Sequence, residues 1–200
     1  MKCAIIGYEP EPLQFRTDDV QKENELLNHL KTLIIEAYHN EYDEFHIGLR
    51  RGCEIWAGEA IISIQTYYET MSLCHVQAYK GYHNCHKESE LDQLKHVSGF
   101  CDKRIHLSDT KLTADEVNQV YTDYILNKTD MVIAIHSSKV SDPFVTPLIK
   151  AIKQKGTLPL VVMNPFDGNF TVRRYNRPEK WLTYKQYRHH NYEVYRQYGI

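Results

Sequence analysis

The stretch Gly48-Leu49-Arg50-Arg51-Gly52-Cys53-Glu54 gathers residue types that hold anions. Glycines let a backbone come close to a ligand, and the free N–H groups at a helix start attract negative charge. Arg50 and Arg51 offer bidentate contacts to a phosphate. The same residues also read as a tight turn carrying two solvated arginines. Glu54 falls in a first helical turn, where the helix dipole favours a carboxylate. It serves there either as a simple cap or as an acceptor for ribose hydroxyls beside a phosphate. Glu59 lies five residues on. Glu54 and Glu59 are the candidate catalytic carboxylates, since burial would raise their pKa toward that of a general acid or base.

Other loops carry weaker chemistry. His136-Ser137-Ser138-Lys139-Val140-Ser141-Asp142-Pro143 is polar, and Ser137, Ser138 and the Thr146 hydroxyl could bond a phosphate or ribose. Ser, His and Asp occur together there without a Gly-x-Ser-x-Gly elbow, which argues against a triad. His83-Asn84-Cys85-His86 offers three ligand types, yet no His-Glu-x-x-His or Cys-x-x-Cys is present, so no metal is expected. Tyr8 and Tyr82 are the candidates for stacking on a base. Trp56 falls on a helix stripe and reads as core.

The elements that must position these residues alternate between strand and helix. Apolar runs at 3–6, 131–135 and 158–163 read as buried strands, and 44–47, 72–79 and 103–107 as further short strands. Residues 20–40 have helical spacing, with Leu26, Leu30, Leu33 and Ala37 on one face and Asp18 or Asp19 as cap. Residues 53–68 and 87–98 read as further helices. Thr113-Ala114-Asp115-Glu116 is a capping box that opens another. Thr146-Pro147 reads as an N-cap followed by a first helical proline, and Gly156 ends that helix. The expectation is an α/β, Rossmann-like three-layer sandwich with a mostly parallel central sheet. Ligands in such folds sit beyond the carboxyl ends of the strands, which singles out the loops at 7–19, 48–54, 80–86 and 136–146.

Gly7-Tyr8-Glu9-Pro10 after the first strand, then Gly48-x-x-x-Gly52-x-Glu54-x-Trp56-Ala57-x-Glu59-Ala60 after the second, resembles the YpsA-like family. That family belongs to the SLOG superfamily of Rossmann-like proteins, which also holds the DprA and "lonely guy" proteins. The resemblance continues through Asn127-Lys128-x-Asp130, the Thr146 helix and the strand at 158–163, and covers roughly residues 1–166. It implies a nucleotide or nucleotide-derived ligand over Gly7, Tyr8, Glu9, Pro10, Gly48, Arg50, Arg51, Gly52 and Glu54. Tyr8 and Glu9 stand where the family often has a basic contact. Arg50 and Arg51 stand where it has small or apolar residues, and can supply that charge from the neighbouring loop. The Pro-Gly-Gly-x-Gly-Thr-x-x-Glu motif of the lonely-guy hydrolases is absent.

Composition bounds the rest. The 200 residues are 42% hydrophobic and 25% charged, enough to bury a core. Five cysteines without a Cys-x-x-Cys suit reduced thiols in a cytoplasmic protein, and no apolar run is long enough for a membrane span. The net charge of −2 is unevenly spread. Residues 173–200 carry seven Arg and Lys against Glu179 and Glu193, net +5, which leaves −7 on the first 172. Six of the 15 tyrosines also fall there. The chain therefore divides into a 1–166 domain and a basic, tyrosine-rich extension, 167–200, expected to pack on the acidic body or on a second subunit of a homo-oligomer. The leading expectation is a protein that senses or sequesters a nucleotide or an NAD- or ADP-ribose-derived metabolite. The alternatives are a hydrolase of an N-glycosidic or phosphate bond, and a protein that binds single-stranded nucleic acid through 173–200.

Overall fold

The computed structural model describes residues 1–13, 20–83 and 87–173. The expected caps Asp18 and Asp19, the residues Asn84, Cys85 and His86, and residues 174–200 of the basic extension lie outside the described residues.

Four parallel strands follow one another across the sheet, the later three to one side of the first. These are β1 (Lys2–Gly7), β2 (Glu44–Ile47), β3 (Ser72–Tyr79) and β4 (Lys103–Ser108). β5 (Met131–Ile135) and β6 (Leu160–Met163) lie on the other side, and β7 (Phe170–Arg173) closes that edge antiparallel to β6. The sheet order is β4-β3-β2-β1-β5-β6-β7. β1 and β5 run side by side from Cys3↔Met131 to Gly7↔Ile135, and both are apolar along nearly their whole length. Strands buried on both faces need helices above and below.

Those helices are α2 (Val20–His39), α3 (Cys53–Gln65), α4 (Glu88–Gly99), α5 (Ala114–Lys128) and α6 (Val145–Lys155); a short α1 (Pro10–Leu13) precedes them. Right-handed crossovers put α2, α3 and α4 on one face and α5 and α6 on the other. The apolar stripe Leu26, Leu30, Leu33, Ile34 and Ala37 of α2 is fully buried. Gly58 lets α3 meet its neighbours closely, since a Cβ there would lie 2.4 Å from the Val97 side chain of α4 and 3.0 Å from Ile47 of β2. The result is the expected mostly parallel Rossmann-like sandwich.

Three details differ from the sequence reading. β7 extends the sheet beyond residue 166, in a stretch with no strand expectation. The helix of 53–68 stops at Gln65. α6 begins at Val145 rather than after a Thr146 cap. Asp142 is the reason: its carboxylate accepts the N–H groups of Phe144 and Val145 at 2.8 and 2.6 Å. The Thr146 hydroxyl turns back to accept the Asp142 N–H at 3.1 Å. At the other end Gly156 takes the left-handed conformation, with φ 67°, and its N–H bonds the Ile152 carbonyl.

Candidate functional site

Strand order reverses between β1 and β5, so the loops leaving their carboxyl ends diverge and form the natural crevice of such a sheet. Three loops meet there: 8–10 after β1, 48–52 after β2 and 136–144 after β5. The sequence brings them together by backbone contact. The Cys53 N–H at the start of α3 donates to the Tyr8 carbonyl at 3.0 Å. Gly52 has φ 82°, and a Cβ there would lie 2.8 Å from the Tyr8 carbonyl oxygen and 2.9 Å from Pro10. A Cβ on Gly7 would lie 2.4 Å from the Cys53 side chain. These glycines admit one loop against another, and the first loop's carbonyl meets the helix start where the sequence reading placed an anion.

Tyr8 is entirely buried. Its hydroxyl lies 2.9 Å from the carbonyls of both Ser137 and Val140 and accepts the Ser137 N–H at 3.1 Å. The ring ties the β1 loop to the β5 loop and offers no open face for stacking on a base. Ser137 is buried with it, and its hydroxyl accepts the Lys139 N–H at 3.3 Å. Ser138 is exposed and Thr146 half-buried. Thr146 Oγ1 lies 3.4 Å from His136 Nε2.

Arg50 and Arg51 are both more than nine-tenths buried and enclosed by carboxylates. Glu9 bridges them, with Arg50 Nη2 to Oε1 at 3.2 Å and Arg51 Nη2 to Oε2 at 2.7 Å. Arg51 also pairs with Glu11, and with Glu90 of α4 at 3.5 Å. The Arg50 guanidinium lies over the Phe144 ring, 4.2 Å from its centre, which joins the β2 loop to the β5 loop. Its Nη1 is buried without a hydrogen bond and stands 4.0 Å from Glu54 Oε1.

Glu54 is 2% exposed. Its Oε2 accepts the N–H groups of Gly48 and Arg50 at 3.1 and 3.2 Å. Burial pushes its carboxyl up to about 7, against the opposing pull of Arg50 and of those two N–H groups. Gly48 is fitted to this contact: a Cβ there would lie 2.8 Å from Glu54 Oε2 and 3.3 Å from the Tyr121 ring. Glu59 is half-buried, and burial raises its carboxyl as well, with Glu23 adding to the shift and His96 opposing it. It stands apart from the cluster around Arg50.

An aromatic wall of Phe144, Tyr121, Tyr82 and Tyr79 adjoins the pair, with ring centres 5.3–6.4 Å apart. The expected Tyr82 is half-buried within it. Trp56 is buried in the core as expected. A cavity of about 20 Å³ lies between β1, β2 and α5, with Arg50, Glu54, Tyr121 and Phe144 toward one end and His46 and Tyr124 toward the other. That is room for about one water. A larger groove of about 350 Å³ is lined by Leu13, Lys22, Glu25, Leu26, His29 and the 165–168 turn.

The structure thus brings Gly7, Tyr8, Glu9, Pro10, Gly48, Arg50, Arg51, Gly52, Glu54 and Tyr82 into one region, with Ser137 behind Tyr8. Sequence reasoning missed Glu11, Glu90, Tyr121 and Phe144. Glu90 and Tyr121 arrive from elements 36 or more residues beyond Glu54, and no local spacing announces them. Glu11 was within reach, as an acid two residues beyond Glu9 in a loop facing two arginines.

Comparison with known proteins gives a match to the YpsA family model, described as the YspA SLOG family, over residues 3–167. No curated protein matches the chain.

Proposed function

The chain belongs to the YspA SLOG family, and from that premise we propose that it binds a nucleotide or an NAD- or ADP-ribose-derived metabolite at the carboxyl edge of β1, β2 and β5, as a sensor or sequestering protein. One observation carries the reading. The Glu9 carboxylate bridges two buried guanidinium groups, the arrangement a ligand phosphate would adopt on the same donors. The ligand's anionic group replaces Glu9, Glu54 receives ribose hydroxyls, and the Tyr82 side of the aromatic wall faces the base.

Calorimetric titration of the full chain with nucleoside mono-, di- and triphosphates, NAD and ADP-ribose tests this. The expected result is saturable binding of at least one of them, weakened at least ten-fold by Arg50→Ala. Absence of heat across the panel overturns the reading.

Glu54 favours a second reading. A carboxyl held near 7 can donate a proton to a leaving base, so the alternative is hydrolysis of an N-glycosidic bond in a bound nucleotide, with water bonding the sugar carbon as the base departs. Chromatography of nucleotides incubated with the protein would show free base, and Glu54→Gln would abolish its release.

A further inference from the structure

A second cluster lies on β2 and in the first half of β3, built by strand periodicity. Glu44 and His46 are two residues apart on β2, so their side chains share a face. His46 is the register partner of Cys74 on β3, which puts the Cys74 side chain on that face beside it. One ligand atom from each of the three lies within 4.8 Å of the others. His46 and Cys74 are buried to 2% and 0% exposure, and Glu44 forms the half-buried rim.

We propose that Glu44, His46 and Cys74 form a binding site for one zinc-type divalent cation, independent of the nucleotide reading. The donor chemistry selects the class: a thiolate with an imidazole and one carboxylate suits zinc, whereas magnesium and calcium take all-oxygen sets. Tetrahedral bonds of about 2.0–2.3 Å put donors roughly 3.3–3.5 Å apart, so an ion entering between His46 Nε2 and Glu44 Oε1, now 2.8 Å apart, opens that pair slightly, with a Cys74 donor already within 4.8 Å of both. Two anionic ligands balance the charge of the ion, and water takes the fourth position from the Glu44 side.

The outer contacts fit as well. His46 Nδ1 lies 2.7 Å from the Tyr124 hydroxyl of α5, and Nε2 lies 2.8 Å from Glu44 Oε1. In the bound state the Nδ1–H donates to the Tyr124 oxygen, which leaves the Nε2 lone pair for the metal; a metal-bound histidine needs such a partner on its other nitrogen. The ring proton moves from Nε2 to Nδ1, and Cys74 binds as thiolate while its proton passes to water. Lys103 Nζ, 3.2 Å from Glu44 Oε2, holds the second carboxylate oxygen at the rim.

Cobalt titration of the chelator-stripped full chain tests the site. The expected result is a thiolate-to-cobalt absorption band that saturates at one equivalent and is bleached by zinc. Cys74→Ser should remove the band, Cys85→Ser and Cys101→Ser should retain it, and Tyr124→Phe should weaken binding about ten-fold. Should Cys74→Ser fail to fold, Glu44→Gln at the rim is read in the same titration and should weaken binding at least ten-fold. No thiolate band overturns the proposal, as does a band lost in Cys85→Ser, which would place the metal on the His83–His86 segment. Because neither Arg50 nor Glu54 is a ligand, Arg50→Ala should leave the cobalt band intact, which separates this result from the nucleotide titration.

Discussion

Glu54 is held in a protonation state that depends on where pH lies relative to 7. Its carboxyl titrates near 4.5 when the chain is unfolded and near 7 when folded. Below about 4.5 both states hold the proton, and between there and about 7 the folded state holds it more tightly. Stability from this group is therefore full below 4.5, falls as pH rises through the window, and stays lost above it, by roughly 3 kcal/mol in all. His75 works in the opposite direction, since burial lowers its imidazole to about 4 and its contribution is lost as pH falls. The difference between wild type and Glu54→Gln isolates the carboxylate. Urea midpoints from pH 4 to 8 should show that difference shifting against wild type as pH rises, and a pH-independent difference would contradict the burial. At the same scale, Tyr8→Phe leaves the buried Ser137 N–H without its acceptor and should cost about 1–3 kcal/mol, read in the same denaturation. The types and spacing of Arg50, Arg51 and Glu54 were legible in the sequence as site chemistry. Their burial was not, because it depends on Glu9, Glu90 and Phe144, which arrive from three other elements.

Helix starts decide how the loops of the site are held. α3 opens at Gly52, whose φ of 82° and close approach to the Tyr8 carbonyl leave no room for a side chain. Gly52→Ala should cost about 1–3 kcal/mol for the backbone conformation alone, seen as a lower thermal midpoint and as loss of nucleotide binding. α6 opens on the Asp142 carboxylate, so Asp142→Ala should cost about 1–2 kcal/mol by removing the acceptor of two N–H groups. Thr146→Ala, which keeps that acceptor, should cost less, and equal losses would put the cap back on Thr146. The sequence reading favoured Thr146 because Thr-Pro is the commoner signature of a helix start. An aspartate four residues upstream reaches the N–H groups of Phe144 and Val145 only when Pro143 and Phe144 turn tightly, and no local pattern reveals that turn. By contrast, Thr113 and Glu116 of α5 close the capping box as their spacing predicted, with bonds of 2.8 Å and 3.4 Å. The box is contained within four residues, and for that reason it was readable.

At the scale of the molecule, the parallel sheet was readable from apolar runs separated by helical spacing, and the strand order fixed the crevice between β1 and β5. β7 escaped because Phe170–Arg173 is short, is antiparallel, and pairs only along β6. The charge division has its own consequence at this scale. Residues 1–172 carry −7 and 173–200 carry +5, and attraction between such segments weakens as salt shortens the screening length from about 10 Å at 0.1 M to about 3 Å at 1 M. An extension that docks on the acidic body stabilises it, so the full chain should melt above a 1–173 truncation at low salt, and the gap should narrow as salt rises. Thermal midpoints of both proteins in 0.05 M and 1 M sodium chloride give this comparison. An extension that instead serves nucleic acid leaves the two midpoints equal, and gives the full chain alone an affinity for single-stranded oligonucleotides that falls steeply with salt. The two outcomes differ in which partner neutralises the basic segment. The internal partner is expected, because it is always present at the effective concentration set by covalent connection.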